Sequence, residues 1–366
     1  MPPPPMELEL PATVGLLIRG SAHARPSEVA PGRAPGRLSN SKAFEALLGP
    51  DWKAELGRRD FPWAMPRNEW GIAAREWSVV PGSGAPPACS ALELGVSAGR
   101  AALADAGWAP DEVDLVVGAS VSVPSELEER VRLGRALAEE LGASRAQTGP
   151  IEFDTTGGLL PWLRAVERAR SAEGQRPRRI LVVGADTLST RLDPSTLEAA
   201  LTFGDAGAAL ALEWCEVEAA GLAGGGSGLV PDQGPAFAPP AVRGNWTEVE
   251  AAAWSRAVEG IANLPSAAAL VPYGLSALQV ARVAELAGYK SGRVKSSLAD
   301  HGSVGAASIL LTMHELLRDS ARAGADLNVF HIDLVGAGAD GRWAWMRWNL
   351  GDEREPEAAL VDTGDA

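Results

Sequence analysis

Runs with helical spacing alternate with short β-branched runs along most of this chain, which confines it to layered α/β folds whose sheets are covered by helices. The first unit is explicit. Small and apolar residues recur at helical spacing over 91–106, Gly107-Trp108-Ala109-Pro110 breaks the pattern, and Val113, Val116 and Val117 open a strand over 113–119. The same reading predicts a helix over 125–141, a short strand over 151–153, a helix over 159–172, a strand over 180–183 and a strand-like run over 201–214. A glycine-rich stretch over 221–228 and a proline-rich one over 230–240 then read as a surface loop. Beyond it the pattern repeats, with helices over 246–261, 275–287 and 306–323 and strands over 268–271, 328–335 and 343–349. Two similar halves predict an internally duplicated fold. The expected division is an N-terminal arm over 1–10, a first half over 11–220, a connecting loop over 221–245, a second half over 246–350 and an acidic, disordered tail over 351–366.

Composition narrows the class of partner. The 366 residues are 46% hydrophobic, enough for one large domain or two fused half-domains. Against 33 lysines and arginines stand 47 acidic residues, a net charge of -14, so a nucleic-acid partner is not expected. Two cysteines, Cys89 and Cys215, are too few for a disulfide framework. Met1-Pro2-Pro3-Pro4-Pro5 lacks the basic and apolar regions of a signal peptide, and no apolar run reaches the roughly 20 residues of a membrane span. A cytoplasmic protein without a membrane span is the expectation.

Five motifs carry more. Val182-Val183-Gly184-Ala185-Asp186 is followed by Asp193-Pro194 and by Phe203-Gly204-Asp205-Ala206-Gly207-Ala208-Ala209. Further on stand His301-Gly302-Ser303-Val304-Gly305-Ala306-Ala307-Ser308 and Gly336-Ala337-Gly338-Ala339-Asp340-Gly341. Together they resemble the ketoacyl-ACP synthase III branch of the thiolase superfamily, over about 63 to 348. The resemblance implies a thiolase-like fold, two duplicated α/β halves forming a layered α-β-α-β-α architecture. It also implies a cysteine at a helix N-terminus that attacks an acyl thioester, with a histidine and an asparagine that promote malonyl decarboxylation.

This chain departs from that pattern at each of the three places. The cysteine's place falls within Thr156-Gly157-Gly158, with Gly158 favoured, the histidine's is Tyr273, and the asparagine's is Ser303. Ser276 and Leu278 stand where the resemblance implies an asparagine and a basic residue after the histidine. The resemblance further implies an oxyanion hole built from backbone N–H groups at the nucleophile and in the terminal glycine loop, where Asp340 now sits. Gly336 and Gly338 of that loop, with Trp63 and Arg67 in the place of a clamp on the coenzyme A adenine, are the substrate-binding candidates.

Other residues are candidates for a reassigned site. Thr156 at a helix N-terminus is a nucleophile if a base reaches it, although Thr155 and Thr156 also read as caps of the helix near Leu159. Asp154 and Glu152 are candidate buried acids, and His301 a candidate general base toward Tyr273 or Ser303, with a structural hydrogen bond as the blander reading. His23 is placed in a turn, His314 on a helix and His331 on a strand, without ligand spacing, so neither a metal nor another cofactor is expected. Cys89, just before a helix, is the more reactive cysteine on dipole grounds. Trp63, Trp70 and Trp77 recur every seven residues, and Trp343, Trp345 and Trp348 are assigned one strand face, as an interface or as core.

Two functions follow. One is a pseudo-ketosynthase subunit, as a homodimer or as a heterodimer with an active ketosynthase paralogue, in fatty-acid, polyketide or related biosynthesis. The other is an acyltransferase or thioester hydrolase acting on acyl-CoA or acyl carrier protein without a cysteinyl intermediate.

Overall fold

A computed structural model describes residues 14–124, 126–171, 176–215, 221–230, 246–262, 264–265, 267–322 and 331–350. The expected arm over 1–10, the tail over 351–366 and most of the proline-rich stretch lie outside them. The strands are β1 (Val14–Ala24), β2 (Arg37–Ser39), β3 (Ala74–Glu76), β4 (Leu115–Ser120), β5 (Gln147–Thr148), β6 (Glu152–Phe153), β7 (Arg179–Asp186), β8 (Ala206–Trp214), β9 (Gly221–Leu229), β10 (Ala269–Pro272), β11 (His331–Ala337) and β12 (Arg342–Asn349). Four short helices, α1 (Pro26–Val29), α2 (Asn40–Leu48), α3 (Trp52–Arg58) and α4 (Met65–Asn68), follow β1 and precede the rest of the layered body. The others are α5 (Ala91–Ala106), α6 (Leu127–Leu141), α7 (Leu159–Ser171), α8 (Leu197–Thr202), α9 (Glu248–Ala262), α10 (Ala277–Leu286), α11 (Leu298–His301) and α12 (Ser308–Arg322).

Local chemistry explains the sharpest boundaries. Helix α5 starts at a capping box, in which the Ser90 amide donates to Glu93 at 2.7 Å while the Glu93 amide donates to Ser90 Oγ at 3.2 Å. It ends at Gly107, whose φ of +70° needs no Cβ clearance. Strands β4 and β7 are buried on both faces, as their unbroken apolar runs require, and they pair in parallel.

The strands run in the order β10-β11-β12-β9-β1-β8-β7-β4-β5, with β6 also on β4. Among the described residues the two parts of this sheet meet where Val14 and Gly15 of β1 face Leu222 and Gly221 of β9. Helices α7 and α12 pack between them, touching strands of both parts, while α5 and α6 cover β4, β7 and β8, and α9 and α10 cover β9 to β12 on the far side. This is a layered α/β architecture.

Three expectations need correction. Residues 221–229 are not loop but strand β9, hydrogen-bonded along β12. A ladder needs only backbone groups, and the missing side chains make room for indoles of the neighbouring strand: a Cβ on Gly226 would sit 2.7 Å from Trp345 Nε1, and one on Gly228 would sit 2.6 Å from the Trp343 ring. The run over 201–214 divides into the end of α8 and β8, because Gly204 and Asp205 interrupt it. His23 lies in β1 rather than in a turn.

The tryptophan faces also differ from expectation. Trp343 and Trp345 face β9 glycines and Gly260 of α9, whereas Trp348, beyond a register shift, packs at a tilt against Trp162 of α7 with ring centroids 4.7 Å apart. Trp70 and Trp77 are wholly buried, while Trp63 is 66% exposed, so the seven-residue spacing marks no common surface.

Candidate functional site

The loop from β6 into α7 is organised by one carboxylate. Asp154 is fully buried and accepts hydrogen bonds from the Thr156 amide (2.6 Å), the Thr156 hydroxyl (2.6 Å) and the Gly158 amide (2.8 Å). Burial pushes its carboxyl up to about 6, against the pull of those donors. Thr156 is therefore not a helix cap, and neither is Thr155, whose hydroxyl donates to Asp340 Oδ1 at 2.7 Å. Glu152 is half-buried on β6.

Gly157 and Gly158 follow with φ of +82° and +105°, a region in which side chains are strained. A Cβ on Gly157 would lie 2.8 Å from Tyr273 Cδ2, and one on Gly158 would lie 2.6 Å from the Ala306 carbonyl oxygen. Substituting Gly158 with cysteine is expected to cost about 2 kcal/mol from the backbone alone, measured as a lowered denaturation midpoint. A neutral substitution would mean that the turn relaxes around the new side chain.

Tyr273 follows β10 on the turn into α10 and is buried, with its hydroxyl 3.5 Å from Ser303 Oγ. Burial, followed by neighbouring carboxylates, drives its phenol well above its ordinary range. It is not a base at neutral pH. Ser276 caps α10, accepting from the Gln279 amide at 3.3 Å, and Leu278 is exposed on that helix. Ser303 is fixed by its backbone, its amide donating to Thr202 and its carbonyl accepting from Gly204, both at 2.9 Å. Gly157, Tyr273 and Ser303 thus meet in the interior, 116 and 30 positions apart in sequence for the first and second pairs.

The terminal glycine loop closes on the same turn. A Cβ on Gly336 would lie 2.1 Å from the Thr156 carbonyl oxygen, and one on Gly338 would lie 2.1 Å from Thr155 Oγ1. Asp340 is buried and ion-paired to Arg342. The Gly338 amide donates to the Arg342 carbonyl at 2.9 Å, and the Gly158 amide to Asp154, so neither N–H is free to hold an oxyanion.

His301 does not reach Tyr273 or Ser303 through any described hydrogen bond. Its Nε2 lies 3.0 Å from Glu315 Oε1, and its ring stands 5.6 Å from that of His23, which is 5.1 Å from His314. His314 Nδ1 in turn contacts Ser21 Oγ at 3.0 Å. Burial, then the charges of His301 and His314, bring His23 down to about 4, and Glu28 and Arg25 act on it in opposite directions. A depressed histidine stabilises the fold above its unfolded value near 6.5 and loses that contribution as pH falls toward 4. After discounting for partial exposure, the loss is about 2 kcal/mol. The His23→Phe variant should show a shallower fall in stability between these pH values by chemical denaturation, and an unchanged slope would remove His23 as its source.

The remaining candidates are dispersed. Trp63 and Arg67 are exposed, Arg67 on α4. Cys89 is buried with Sγ 3.4 Å from Ser78 Oγ, and burial raises its thiol, so desolvation outweighs the nearby helix end. Among the described residues no cluster could hold a metal, and no helix is long and apolar enough to cross a membrane. The sequence reading passed over Asp186, although it ends the first motif. Its buried carboxylate accepts from Ser120 Oγ, Ser122 Oγ and the Val121, Ser122 and Ala306 amides at 2.6–3.0 Å, tying β4 and β7 to the turn before α12.

The family profile described as 3-oxoacyl-[acyl-carrier-protein (ACP)] synthase III matches residues 162–224. The β-ketoacyl-[acyl-carrier-protein] synthase III of Synechococcus sp. (strain RCC307) is 28% identical over 313 residues, 77% of this chain and 89% of that protein. The Brucella suis synthase III is 33% identical over 144 residues, only 39% of this chain and 40% of that protein. Among solved structures, the priming β-ketosynthase of the R1128 polyketide pathway aligns with TM-score 0.69 at 21% identity, covering 94% of this chain and 99% of that one. The synthase III of Pseudomonas aeruginosa PAO1 aligns with TM-score 0.67 at 21% identity, over 92% and 99%. With its layers, its sheet order and these likenesses together, the chain has a thiolase-like fold and is similar in sequence to ketoacyl synthase III proteins.

Proposed function

We propose that this is a catalytically degenerate ketoacyl synthase III-like protein, a non-catalytic subunit of fatty-acid, polyketide or related secondary-metabolite biosynthesis. The observation that carries this reading is the interior itself. On this reading Gly158, Tyr273 and Ser303 take the places of the Cys-His-Asn triad, and it is supported by the Gly158 and Gly338 amides donating within the protein. Leu310 and the Ala306 carbonyl occupy the space beside Gly158. The subunit works in the cytoplasm, as a homodimer or beside an active ketosynthase paralogue. Leu127 and Val131, exposed one turn apart on α6, are consistent with an interface.

One observation favours a second reading. The Thr156 hydroxyl lies 2.6 Å from a carboxylate raised to about 6, the arrangement of a nucleophile and a base. On that reading the protein is an acyltransferase or thioester hydrolase acting on acyl-CoA or acyl carrier protein. Trp63 and Arg67 would hold the coenzyme, and Gly336 and Gly338 would line the site.

Thiol release from a panel of acyl- and malonyl-thioesters separates the two. The expected result is no turnover above a no-protein control by the folded chain, alone. Turnover that disappears in Thr156→Ala and persists in Tyr273→Phe would establish the second reading and sink the first.

A further inference from the structure

A cavity of about 220 Å³ opens at the C-terminal ends of the parallel strands β4 and β7, between α5 and α6. Open α/β sheets bind ligands at such strand ends. It lies on the opposite face of the sheet from the site described above: its walls belong to the outer apolar cluster, whereas Leu159, Trp162, Tyr273 and Leu310 belong to the inner one. Leu133 and Leu137 of α6, Ile151, and Ala91 and Leu92 at the start of α5 form the walls. Among the described residues no ionisable side chain lines it.

Its polar groups are three serine hydroxyls, and the hydrogen bonds they already make fix their polarity. Ser90 Oγ donates to Glu93 at 2.9 Å, and Ser120 Oγ and Ser122 Oγ each donate to Asp186 at 2.6 Å. Two hydroxyls and three amides converge on Asp186, which holds it as an acceptor. With their hydrogens spent, the serines offer a ligand lone pairs, and among the described residues no cation lines the cavity to balance a carboxylate.

We propose that this cavity is a binding site for an uncharged aliphatic chain ending in a hydrogen-bond donor, such as a primary alcohol. Its volume exceeds the ~150 Å³ of an engineered cavity that takes up benzene, so it fits a chain of roughly six carbons. Glycines let the walls pack closely around the cavity: a Cβ on Gly118 would lie 2.6 Å from Ile151 Cδ1, and one on Gly95 would lie 3.2 Å from Val183 Cγ1. Ser120 and Ser122 also connect the site, through Asp186 and Ala306, to the wall beside Gly158.

The test titrates the full chain with 1-hexanol and with hexanoate, observed by calorimetry and saturation-transfer NMR. Burial of six carbons predicts a Kd for 1-hexanol of about 1 mM or tighter. Hexanoate should bind at least tenfold more weakly. Ala91→Phe, at the half-exposed mouth, should weaken 1-hexanol at least tenfold with an unchanged melting temperature. Should that variant unfold, Leu133→Ala enlarges the site instead and should shift preference toward 1-octanol. Absence of 1-hexanol binding, equal or tighter binding of hexanoate, or affinity indifferent to both substitutions would each overturn the proposal. None of these readouts depends on thioester turnover, so its failure and that of the proposed function are distinguishable.

Discussion

Replacing Asp154 with alanine is expected to cost at least about 3 kcal/mol, because it strands two buried amides and a buried hydroxyl, each worth roughly 1–3 kcal/mol when left unpaired. Against a total stability of about 5–15 kcal/mol, such a loss unfolds a substantial fraction of the protein. Asp154→Asn should cost less, since the amide oxygen keeps one set of donors while its NH2 group opposes the other. A denaturant titration reads both variants, with the midpoint falling at unchanged slope. A loss below about 1 kcal/mol in Asp154→Ala would mean that water replaces the carboxylate, and that the turn is open enough to admit a substrate. The variant also bears on pH. A carboxyl raised to about 6 from 3.8 is protonated earlier in the folded state than in the unfolded one. Stability therefore falls as pH rises from about 4 to about 6, by roughly 2–3 kcal/mol for this group. His23 acts in the opposite direction over much of that window, so only Asp154→Asn and His23→Phe side by side resolve the two slopes.

Arg347→Met is expected to cost about 3–5 kcal/mol through a different mechanism, the abandonment of a buried countercharge. Arg347 on β12 reaches across to Asp333 on β11 with two hydrogen bonds, Nε to Oδ1 at 2.6 Å and Nη2 to Oδ2 at 2.7 Å, and both residues are buried. The Tyr289 hydroxyl donates to the same Oδ2 at 2.5 Å, so one carboxylate binds two strands and the segment after α10. Removing the guanidinium leaves Asp333 with a single neutral donor in the interior. The double variant Arg347→Met/Asp333→Leu should recover most of the loss, since a buried ion pair is worth little more than well-packed apolar residues. A double variant no more stable than Arg347→Met would mean that Tyr289, left without its acceptor, carries the penalty instead.

The sequence alone determined the layered α/β class, the boundaries of α5 and the positions of β4, β6 and β7. These rest on periodicity, on a capping box and on glycine and proline breaks, all of which act within a few residues. Gly158, Tyr273 and Ser303 were singled out by their distances from motifs, and their triad-equivalent role belongs to the proposed function. The occupation of that site was decided by tertiary structure. Whether Thr156 caps a helix or is held by Asp154, whether Asp340 faces an oxyanion or Arg342, and whether His301 turns inward or toward Glu315 depend on partners brought together by packing. Strand β9 was misjudged for the same reason. Glycine carries no local signal for a strand, and what makes a glycine strand favourable is a pair of tryptophans more than a hundred residues away that cover it. Backbone pairing and burial are long-range effects, and they decided here which polar groups are free and which are already spent.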